Sequence, residues 1–175
     1  MISAIACVDR NWGIGYNGEL LTKIPEDMRF FKEKTTNNVV IMGRKTYDSL
    51  LLKPLPNRIN IVITSKIDKP CVVNEEGIIF VTMDFIKEFL HTLSSGSLSD
   101  CFDYYIIGGG QIYEELLPYC NISYITKVNY AYQNVDTYFP NLDKKEEWIE
   151  CDNIKRKENK TCDGIQYRFC VYERI

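Results

Sequence analysis

A carboxylate and an aromatic ring stand at helical spacing near residue 27. The sequence predicts a helix that begins at Pro25, where the missing backbone N–H costs nothing. Asp27 and Phe31 then lie four residues apart on one helix face, with Met28 beside them. Alternatively, Glu26 and Asp27 are ordinary first-turn acids that interact favourably with the helix dipole. Other residues must decide whether this carboxylate is functional or only structural.

Two turns that follow predicted strands carry cations and hydroxyl groups suited to a phosphate. The first is Gly43-Arg44-Lys45-Thr46, and the second is Thr64-Ser65-Lys66. A junction of strand and helix offers free backbone N–H groups and a helix dipole to an anion. An ordinary solvated helix start or a polar strand end is the alternative for each turn. The first turn is not a Walker A loop, because no glycine stands at the required upstream position.

The most specific anion-binding signal is Gly108-Gly109-Gly110, which separates a predicted strand from a predicted helix. Three glycines leave no Cβ along the turn, so another molecule can approach the backbone at a helix N-terminus. Close packing of the turn against the sheet would use glycine equally well.

Another glycine pattern, at Gly13, Gly15 and Gly18, matches a dinucleotide fingerprint, but its context excludes that interpretation. The residues between Gly18 and Pro25 are too few for the crossover helix that the fingerprint requires. Seven cysteines with no C-x-x-C pair, and a single histidine, predict reduced thiols and no metal site.

The elements that position these residues alternate between strands and helices. Apolar runs predict strands at residues 2–8, 39–42, 59–64, 78–81, 104–107 and 124–128. Helices are predicted at 25–34, after residue 43, at 84–93 and at 111–117; loops at 11–18 and 94–100; and a turn with packed aromatics at 136–140. Residues 166–172 alternate as an antiparallel strand. The predicted class is α/β, with a mostly parallel mixed sheet, helices on both faces and an antiparallel C-terminal edge. Its ligand crevice lies at the carboxyl ends of the strands.

Composition sets the broad class of the protein. A chain of 175 residues suits one domain, here 1–175, and 45% hydrophobic residues predict an ordinary folded protein. The net charge of −3, with both signs interspersed, argues against nucleic acid or a membrane as the main partner. The N-terminus has no basic segment and no apolar run approaches a membrane span, so a cytoplasmic protein is expected. No long exposed apolar face is evident, which predicts a monomer.

The motifs, taken in order, resemble the dihydrofolate reductase family along almost the whole chain. The resemblance rests on Gly13-Ile14-Gly15, Ile24-Pro25-Glu26-Asp27, Val40-Ile41-Met42-Gly43-Arg44-Lys45-Thr46, Leu55-Pro56-Asn57-Arg58, Ile106-Ile107-Gly108-Gly109-Gly110-Gln111-Ile112-Tyr113 and Asp136-Thr137-Tyr138-Phe139-Pro140. Each motif is weak alone, but all of them in family order are strong. The resemblance implies hydride transfer from NADPH to 7,8-dihydrofolate, giving 5,6,7,8-tetrahydrofolate for one-carbon and thymidylate metabolism.

The same resemblance implies roles for individual residues. Asp27 would be the catalytic residue that binds the 2-amino and ring N–H groups of the pterin, and Arg58 would clamp the glutamate α-carboxylate. The other implied substrate-binding residues are Ile5, Ala6, Met28, Phe31, Leu55, Ile107 and Thr126. The implied NADPH-binding residues are Cys7, Ile14, Gly43, Arg44, Lys45, Thr46, Thr64, Ser65, Lys66, Gly108, Gly109, Gly110, Gln111, Ile112 and Tyr113.

Finer features follow from the resemblance as well. Ile5 and Ile107 would offer backbone carbonyls to the pterin, Thr126 would support Asp27, and residues 9–19 would form a lid over the nicotinamide. The peptide between Gly108 and Gly109 would have an unusual geometry.

The expected chemistry agrees with these roles. Hydride arrival at a pterin carbon requires a proton on the neighbouring nitrogen, and a buried carboxylate with a raised pKa favours that protonation. Because Asp27 would contact the far side of the ring, a water admitted by the lid is the expected direct donor. Arg58 suits a carboxylate because its guanidinium is a two-pronged donor.

Two positions depart from the family pattern. Thr22 stands where the family usually has a tryptophan that holds a water bridging to the pterin oxygen. Its hydroxyl could hold a water, but with a shorter reach. Gln111 stands where some members have arginine near the NADPH phosphate, so preference for NADPH over NADH would rest on Arg44, with help from Lys66.

Two alternatives to this function remain open. A reductase of another pterin or of a riboflavin precursor would have no use for Arg58. A non-catalytic relative would bind NADPH without turnover.

Overall fold

The computed structural model describes residues 1–96, 101–151 and 160–175. Its strands are β1 (Ile2–Val8), β2 (Gly13–Tyr16), β3 (Glu19–Leu20), β4 (Val39–Gly43), β5 (Ile59–Ile63), β6 (Cys71–Val73), β7 (Ile79–Val81), β8 (Tyr104–Gly108), β9 (Ile122–Val128), β10 (Thr137–Tyr138), β11 (Trp148–Glu150), β12 (Lys160–Cys162) and β13 (Ile165–Arg174). Its α-helices are α1 (Pro25–Thr35), α2 (Arg44–Ser49), α3 (Met83–Ser94) and α4 (Gly110–Leu116). Short 3₁₀ turns cover Leu117–Tyr119 and Leu142–Lys144.

The main sheet, within the described residues, has ten strands in the order β11-β13-β9-β1-β8-β4-β5-β7-β6, with β12 paired to β13. Its centre is parallel: β1 pairs with β8 and β9, β4 pairs with β8 and β5, and β5 pairs with β7. β13 runs antiparallel to β9 and β11, and β6 runs antiparallel to β7. The predicted mixed, mostly parallel sheet with an antiparallel C-terminal part is therefore confirmed.

Helices cover both faces of this sheet, as predicted. The face under α1 and α2 buries Ile5, Ile24, Phe30, Val40, Met42, Tyr47, Val62, Ile78, Tyr105, Tyr124, Val128, Tyr167 and Phe169. The face under α3 and α4 buries, among others, Ile2, Ala4, Val8, Ile41, Ile86, Leu90, Ile106, Ile112 and Leu116. Burial on both faces explains why the central strands are continuous apolar runs rather than alternating ones.

The prediction of a long loop over residues 11–18 is wrong in part. β2 and β3 form a hairpin in which Tyr16 pairs with Glu19, and β10 pairs with the other side of β2. The connecting residues Asn17 and Gly18 have φ angles of 50° and 79°. Asn-Gly between two short strands is the sequence typical of a two-residue hairpin turn with positive φ at both positions. The sequence therefore contained the hairpin signal, but the many other turn-forming residues in this segment obscured it.

The remaining differences are small. Among the three-residue strands, β7 is predicted from the apolar run at 78–81, whereas β6, β11 and β12 are not, because three residues are too few to show a period. The predicted flexible loop of residues 94–100 begins with the last residue of α3, and its residues 97–100 lie outside the described part of the chain. No helix in the described ranges is both long and apolar enough to cross a membrane.

Candidate active site

Asp27 lies in the first turn of α1, facing β9. The helix begins at Pro25 with Ile24 at the N-cap, and no side chain caps it. The Asp27 carboxylate accepts a hydrogen bond from the Thr126 hydroxyl on β9, with 2.5 Å between Oδ1 and Oγ1. Burial raises the pKa of Asp27 above its ordinary value, and the hydrogen bond from Thr126 offsets this only in part. The hydrogen bond therefore fixes the position of the carboxylate but does not balance its charge.

No cation balances Asp27 among the ion pairs recorded for residues 1–96, 101–151 and 160–175. The titratable groups that interact with it are Cys7 on β1, Tyr113 on α4 and Tyr167 on β13. Burial is the main cause that raises the pKa of each of these three groups, and it brings that of Tyr167 to about 12. All three are neutral at pH 7, so Asp27 is suited to a ligand that brings its own N–H donors or a proton.

The carboxyl ends of β1 and β8 lie beside this carboxylate. Cys7 is directly opposite Thr126 in the register of β1 and β9. Ile5 and Ile107 each follow the last recorded pair of β1 and β8, Ala4 with Ile106, by one residue. The buried Tyr113 hydroxyl donates to the Ile5 carbonyl at 2.7 Å. Because a carbonyl oxygen has two lone pairs, that oxygen keeps capacity for a second donor.

A second charged group is fixed at the other end of α1. Arg58 donates from Nη1 to the Thr35 hydroxyl at 2.9 Å and from Nε to the Pro56 carbonyl at 3.0 Å. Its guanidinium carbon lies 6.0 Å from the ring centroid of Phe31. Burial lowers the pKa of Arg58, but a guanidinium stays charged at any physiological pH. Thr35 is eight residues beyond Asp27, which is about 12 Å along a helix.

The connector that carries Arg58 is shaped by Asn60, a buried residue that the sequence patterns did not single out. Its Oδ1 accepts from the Leu55 N–H at 3.0 Å. Its Nδ2 donates to the carbonyls of Leu55 and Arg58 at 2.9 and 3.0 Å. Asn57 takes a positive φ of 57° in the same turn. An asparagine among the apolar residues of β5 is the signal that could have identified this role.

The remaining residues expected to bind substrate are Ala6, Met28, Phe31 and Leu55. Phe31, Ala6 and Leu55 are partly buried, whereas Met28 is exposed on α1. Phe31 and Leu55 pack against the core face that α1 covers. The structure thus places an acid, a ring and a cation along one side of α1.

Two of the three predicted anion-binding turns, the one that begins at Gly43 and the three glycines at 108–110, meet at the strand ends. A Cβ on Gly43 would lie 2.9 Å from Ile112 on α4, and a Cβ on Gly109 would lie 3.3 Å from the Thr46 hydroxyl on α2. The start of α2 and the start of α4 are therefore neighbours, although they come from distant parts of the sequence. Because the first backbone N–H groups of a helix have no partner within the helix, both starts can offer donors to an anion.

The three glycines at 108–110 differ in what surrounds them. The peptide between Gly108 and Gly109 is cis, and Gly108 has a φ of 119° with the Tyr113 ring 3.2 Å from its Cβ position. A Cβ on Gly110 would lie 3.0 Å from Thr137 and 3.1 Å from the Tyr138 carbonyl. Backbone conformation and packing therefore account for Gly108 and packing for Gly110, while the Cβ position of Gly109 meets the Thr46 hydroxyl at 3.3 Å.

Polar side chains around these turns have partners of their own. Arg44 is exposed and forms an ion pair with Asp48 at 3.0 Å. The buried Thr64 accepts a hydrogen bond from the backbone N–H of Lys66 at 3.1 Å. Gln111 donates to Glu115 at 2.9 Å. Lys45, Ser65 and Lys66 are exposed. Cationic and hydroxyl groups are thus available along this edge, but Gln111 points to a neighbouring acid.

Asp9 anchors the predicted lid and was missed by the sequence reasoning. It is 4% exposed, and its Oδ1 accepts from the N–H groups of Asn11 and Gly13 at 2.8 and 2.7 Å. Its Oδ2 accepts from the Tyr132 N–H at 3.1 Å. Further out, Asp136 accepts from the Asn17 N–H at 2.8 Å. An aspartate just before a turn commonly binds the backbone N–H two residues on, which was the available signal.

Thr22 lines a small cavity beside the candidate site. The cavity has a volume of about 10 Å³, and Cys7, Asp9, Ile14 and Leu21 are also among its lining residues. That is room for about one water molecule. A wider groove of about 450 Å³ separates the β2–β3 hairpin from the segment around Tyr130 and Tyr132. In the described part of the chain, no three His, Cys, Asp or Glu residues cluster as a metal site.

Comparison with known proteins gives one consistent result. The sequence model described as "Dihydrofolate reductase" matches residues 1–174. The dihydrofolate reductase of Bacillus subtilis (strain 168) is 34% identical over 174 residues, covering 99% of this chain and 95% of the relative. That of Buchnera aphidicola subsp. Acyrthosiphon pisum is 36% identical over 175 residues, covering 99% of both. The structure of dihydrofolate reductase from Enterococcus faecalis complexed with NADP(H) and RAB-propyl has a TM-score of 0.78 and 30% identity. The matched region covers 99% of this chain and 96% of the Enterococcus faecalis chain.

Proposed function

This chain belongs to the dihydrofolate reductase family, and we infer that it reduces 7,8-dihydrofolate to 5,6,7,8-tetrahydrofolate with NADPH as the hydride donor. The observation that carries this inference is the pairing of an unbalanced carboxylate, Asp27, with a fixed cation, Arg58, along one side of α1. About 12 Å of helix separates the residues that hold these groups, a span that suits a substrate with a basic head and an acidic tail.

Asp27 binds the head of the substrate. Its carboxylate accepts hydrogen bonds from the 2-amino and ring N–H groups of the pterin. No cation among the described residues is paired with this carboxylate, so none competes with the pterin for it. The carbonyls of Ile5 and Ile107 accept from the same ring edge. Phe31, Met28, Leu55 and Ala6 provide apolar contact.

Protonation of the pterin is favoured by the same carboxylate. The raised pKa of Asp27 means that the site binds a proton more readily than an exposed aspartate does. The direct donor is a water rather than Asp27, because Asp27 lies on the far side of the ring. The Thr22 cavity, which has room for about one water, supports this assignment.

NADPH fits the other side of the site. When bound, it supplies the hydride. The adjacent starts of α2 and α4 would hold its phosphates through Gly43, Arg44, Lys45, Thr46 and the turn at Gly108-Gly109-Gly110, which has no side chain between the backbone and a ligand. The other cofactor contacts come from Cys7, Ile14, Thr64, Ser65, Lys66, Gln111, Ile112 and Tyr113.

The enzyme acts as one domain over residues 1–175, as a monomer, and in the cytoplasm. Support for one domain comes from the two cores that share a single sheet. Support for a reducing compartment comes from the sequence, whose seven cysteines are odd in number and form no C-x-x-C pair. Its interspersed charges favour a small-molecule substrate over nucleic acid or a membrane surface.

Arg58 tests which substrate the site takes. We expect Arg58→Leu to raise the KM for dihydrofolate by about 100-fold, since a charge-assisted pair is worth about 1.5–3 kcal/mol. The KM for a dihydropterin without the glutamate tail is expected to stay unchanged in the variant. An equal rise in KM for both substrates would mean that Arg58 stabilises the fold and does not bind the glutamate tail. That result would favour a substrate without the tail.

A further inference from the structure

Glu26, the acid that precedes Asp27, is bound to the C-terminal part of the chain. Its Oε2 accepts a hydrogen bond from the Tyr167 hydroxyl on β13 at 2.7 Å. Its Oε1 pairs with the Lys160 ammonium on β12. The antiparallel pair β12 and β13, here called the C-terminal hairpin, thus contacts the first turn of α1 directly.

The start of α1 lacks an ordinary cap, so these contacts contribute more to holding the helix start in place. Ile24 occupies the N-cap position and has no side-chain acceptor for the first-turn N–H groups. Side chains in the first turn therefore fix the helix start. Asp27 binds Thr126 on β9, and Glu26 binds Tyr167 on β13. Because β9 and β13 are neighbouring strands, two consecutive residues attach the helix to two adjacent strands.

Aromatic packing extends the same contact beneath the helix. The ring centroids of Phe30 and Phe169 lie 5.1 Å apart, and those of Tyr167 and Phe169 lie 5.9 Å apart. The Lys160 ammonium lies 5.7 Å from the Phe169 centroid. A shift of the C-terminal hairpin would therefore move the buried side of α1 as well.

The two contacts of Glu26 are unequal in strength. The side chains of Glu26 and Lys160 are 35% and 36% exposed, and exposed ion pairs of this kind contribute little to stability. Tyr167, in contrast, is 4% exposed and donates a directional hydrogen bond to a charged acceptor. The Tyr167 hydroxyl is therefore the stronger attachment.

We propose that Glu26 is a positioning residue for the reduction: by binding the Tyr167 hydroxyl, it holds the first turn of α1 so that Asp27 stays against Thr126. This inference rests on the proposed function. It replaces the reading of Glu26 as an ordinary first-turn acid, because a dipole interaction would need no partner on the C-terminal hairpin.

The test compares Tyr167→Phe and Glu26→Ala with a matched control, Glu33→Ala. Glu33 is an exposed acid on the same helix, so the control removes one carboxylate from α1 without touching the hairpin. Tyr167→Phe removes only the hydroxyl and keeps the ring packing. NADPH-loaded enzyme is mixed with dihydrofolate in a stopped-flow instrument, and the hydride-transfer rate is recorded from pH 5 to pH 9, together with Kd for each ligand and Tm.

We expect both variants to slow hydride transfer by about 10-fold, since a misplacement of about 1 Å can cost up to about 100-fold. The Kd for dihydrofolate should rise, the Kd for NADPH should stay unchanged, and the pH midpoint of the rate should move to lower pH as Asp27 gains solvent. The double variant should be no slower than the slower single variant, because both substitutions remove the same hydrogen bond between Glu26 and Tyr167. Glu33→Ala should behave as the wild type.

Variants that match Glu33→Ala in rate, pH midpoint and dihydrofolate affinity would overturn the inference, even if their Tm falls. Additive losses in the double variant would also overturn it. The wild type measured in the same assay separates the two claims. Wild-type turnover with unaffected variants rejects only the positioning role, whereas no wild-type turnover rejects the proposed function and this inference with it.

Discussion

At the scale of single residues, Asp27 carries an energetic cost that its neighbours do not remove. Burial disfavours the charged carboxylate, and the one hydrogen bond recorded for it comes from the neutral hydroxyl of Thr126. The folded, ligand-free protein therefore binds a proton at Asp27 more tightly than the unfolded chain does. The contribution of protonated Asp27 to the free energy of unfolding is fully present below the ordinary aspartate pKa. It is lost as the pH rises through the raised pKa of Asp27 in the folded state.

Asp27→Asn should consequently raise the Tm of the ligand-free protein at pH 7. We expect an increase of about 2–4 °C, which corresponds to about 1 kcal/mol for a domain of this size. The increase should shrink as the pH falls through the raised pKa of Asp27, because wild-type Asp27 then becomes neutral. Glu33→Gln is the matched control, since it removes one exposed charge from the same helix. An unchanged or lower Tm for Asp27→Asn at pH 7, with the control unchanged, would contradict this account.

Most candidate site residues could be selected from residue type and order, but their actual surroundings could not. Gly108, Gly109 and Gly110 look alike in sequence. Only the structure shows that Gly108 has a φ of 119° and that the three Cβ positions face different neighbours: the Tyr113 ring, the Thr46 hydroxyl and the segment at Thr137. The same holds for Glu26 and Asp27, which look like equivalent first-turn acids in the sequence. The structure distinguishes them, because Glu26 binds a residue 141 positions away and Asp27 binds one 99 positions away. Long-range partners leave no local pattern for sequence reasoning to find.

At the scale of elements, residues 9–19, which we expect to form the lid, contain a hairpin whose base is held by the hydrogen bonds of Asp9. Asp9 holds the N–H groups of Asn11 and Gly13 on one side and that of Tyr132 on the other. The lid and the segment around Tyr132 therefore share one buried carboxylate. The hairpin tip is held more loosely, through Asn17 and the exposed Asp136.

Removing the Asp9 carboxylate should loosen the lid and weaken NADPH binding. We expect Asp9→Ala to lower stability by about 1–3 kcal/mol, because three backbone donors lose their acceptor, and to raise the Kd for NADPH. Asn11→Ala is a suitable control, as it changes an exposed neighbour in the same turn. Thermal unfolding and NADPH fluorescence titration measure both effects. If Asp9→Ala binds NADPH as tightly as Asn11→Ala does, Asp9 has no part in the lid's function.

Element types and order followed from the sequence because the central strands are long apolar runs and the helices show clear periodicity. Apart from β7, the strands of two or three residues were not predicted, since so few residues show no period. The β2–β3 hairpin is the instructive case. Its Asn17-Gly18 turn is a strong hairpin signal, but the strands it joins are too short to confirm it by alternation.

At the scale of the whole molecule, the parallel order of the sheet explains why distant motifs form one site. β1, β4, β5 and β8 run in the same direction, so the residues that follow them reach one edge. Asp9, Gly43, Thr64 and Gly108 each stand at or just after such a strand end. β9 and β13 add Thr126 and Tyr167 from the other side, under the start of α1. The proposed substrate side and the proposed cofactor side therefore meet along the same crevice.

The most direct test follows NADPH absorbance loss with wild type and Asp27→Asn, in the presence and absence of dihydrofolate. The wild type should oxidise NADPH only when dihydrofolate is added, and tetrahydrofolate should form in equal amount. Asp27→Asn should bind NADPH normally, lose most activity at pH 7, and recover part of it at low pH, where the substrate is protonated beforehand. Wild-type protein that oxidises no NADPH with dihydrofolate, or Asp27→Asn that keeps full activity at pH 7, would contradict the account.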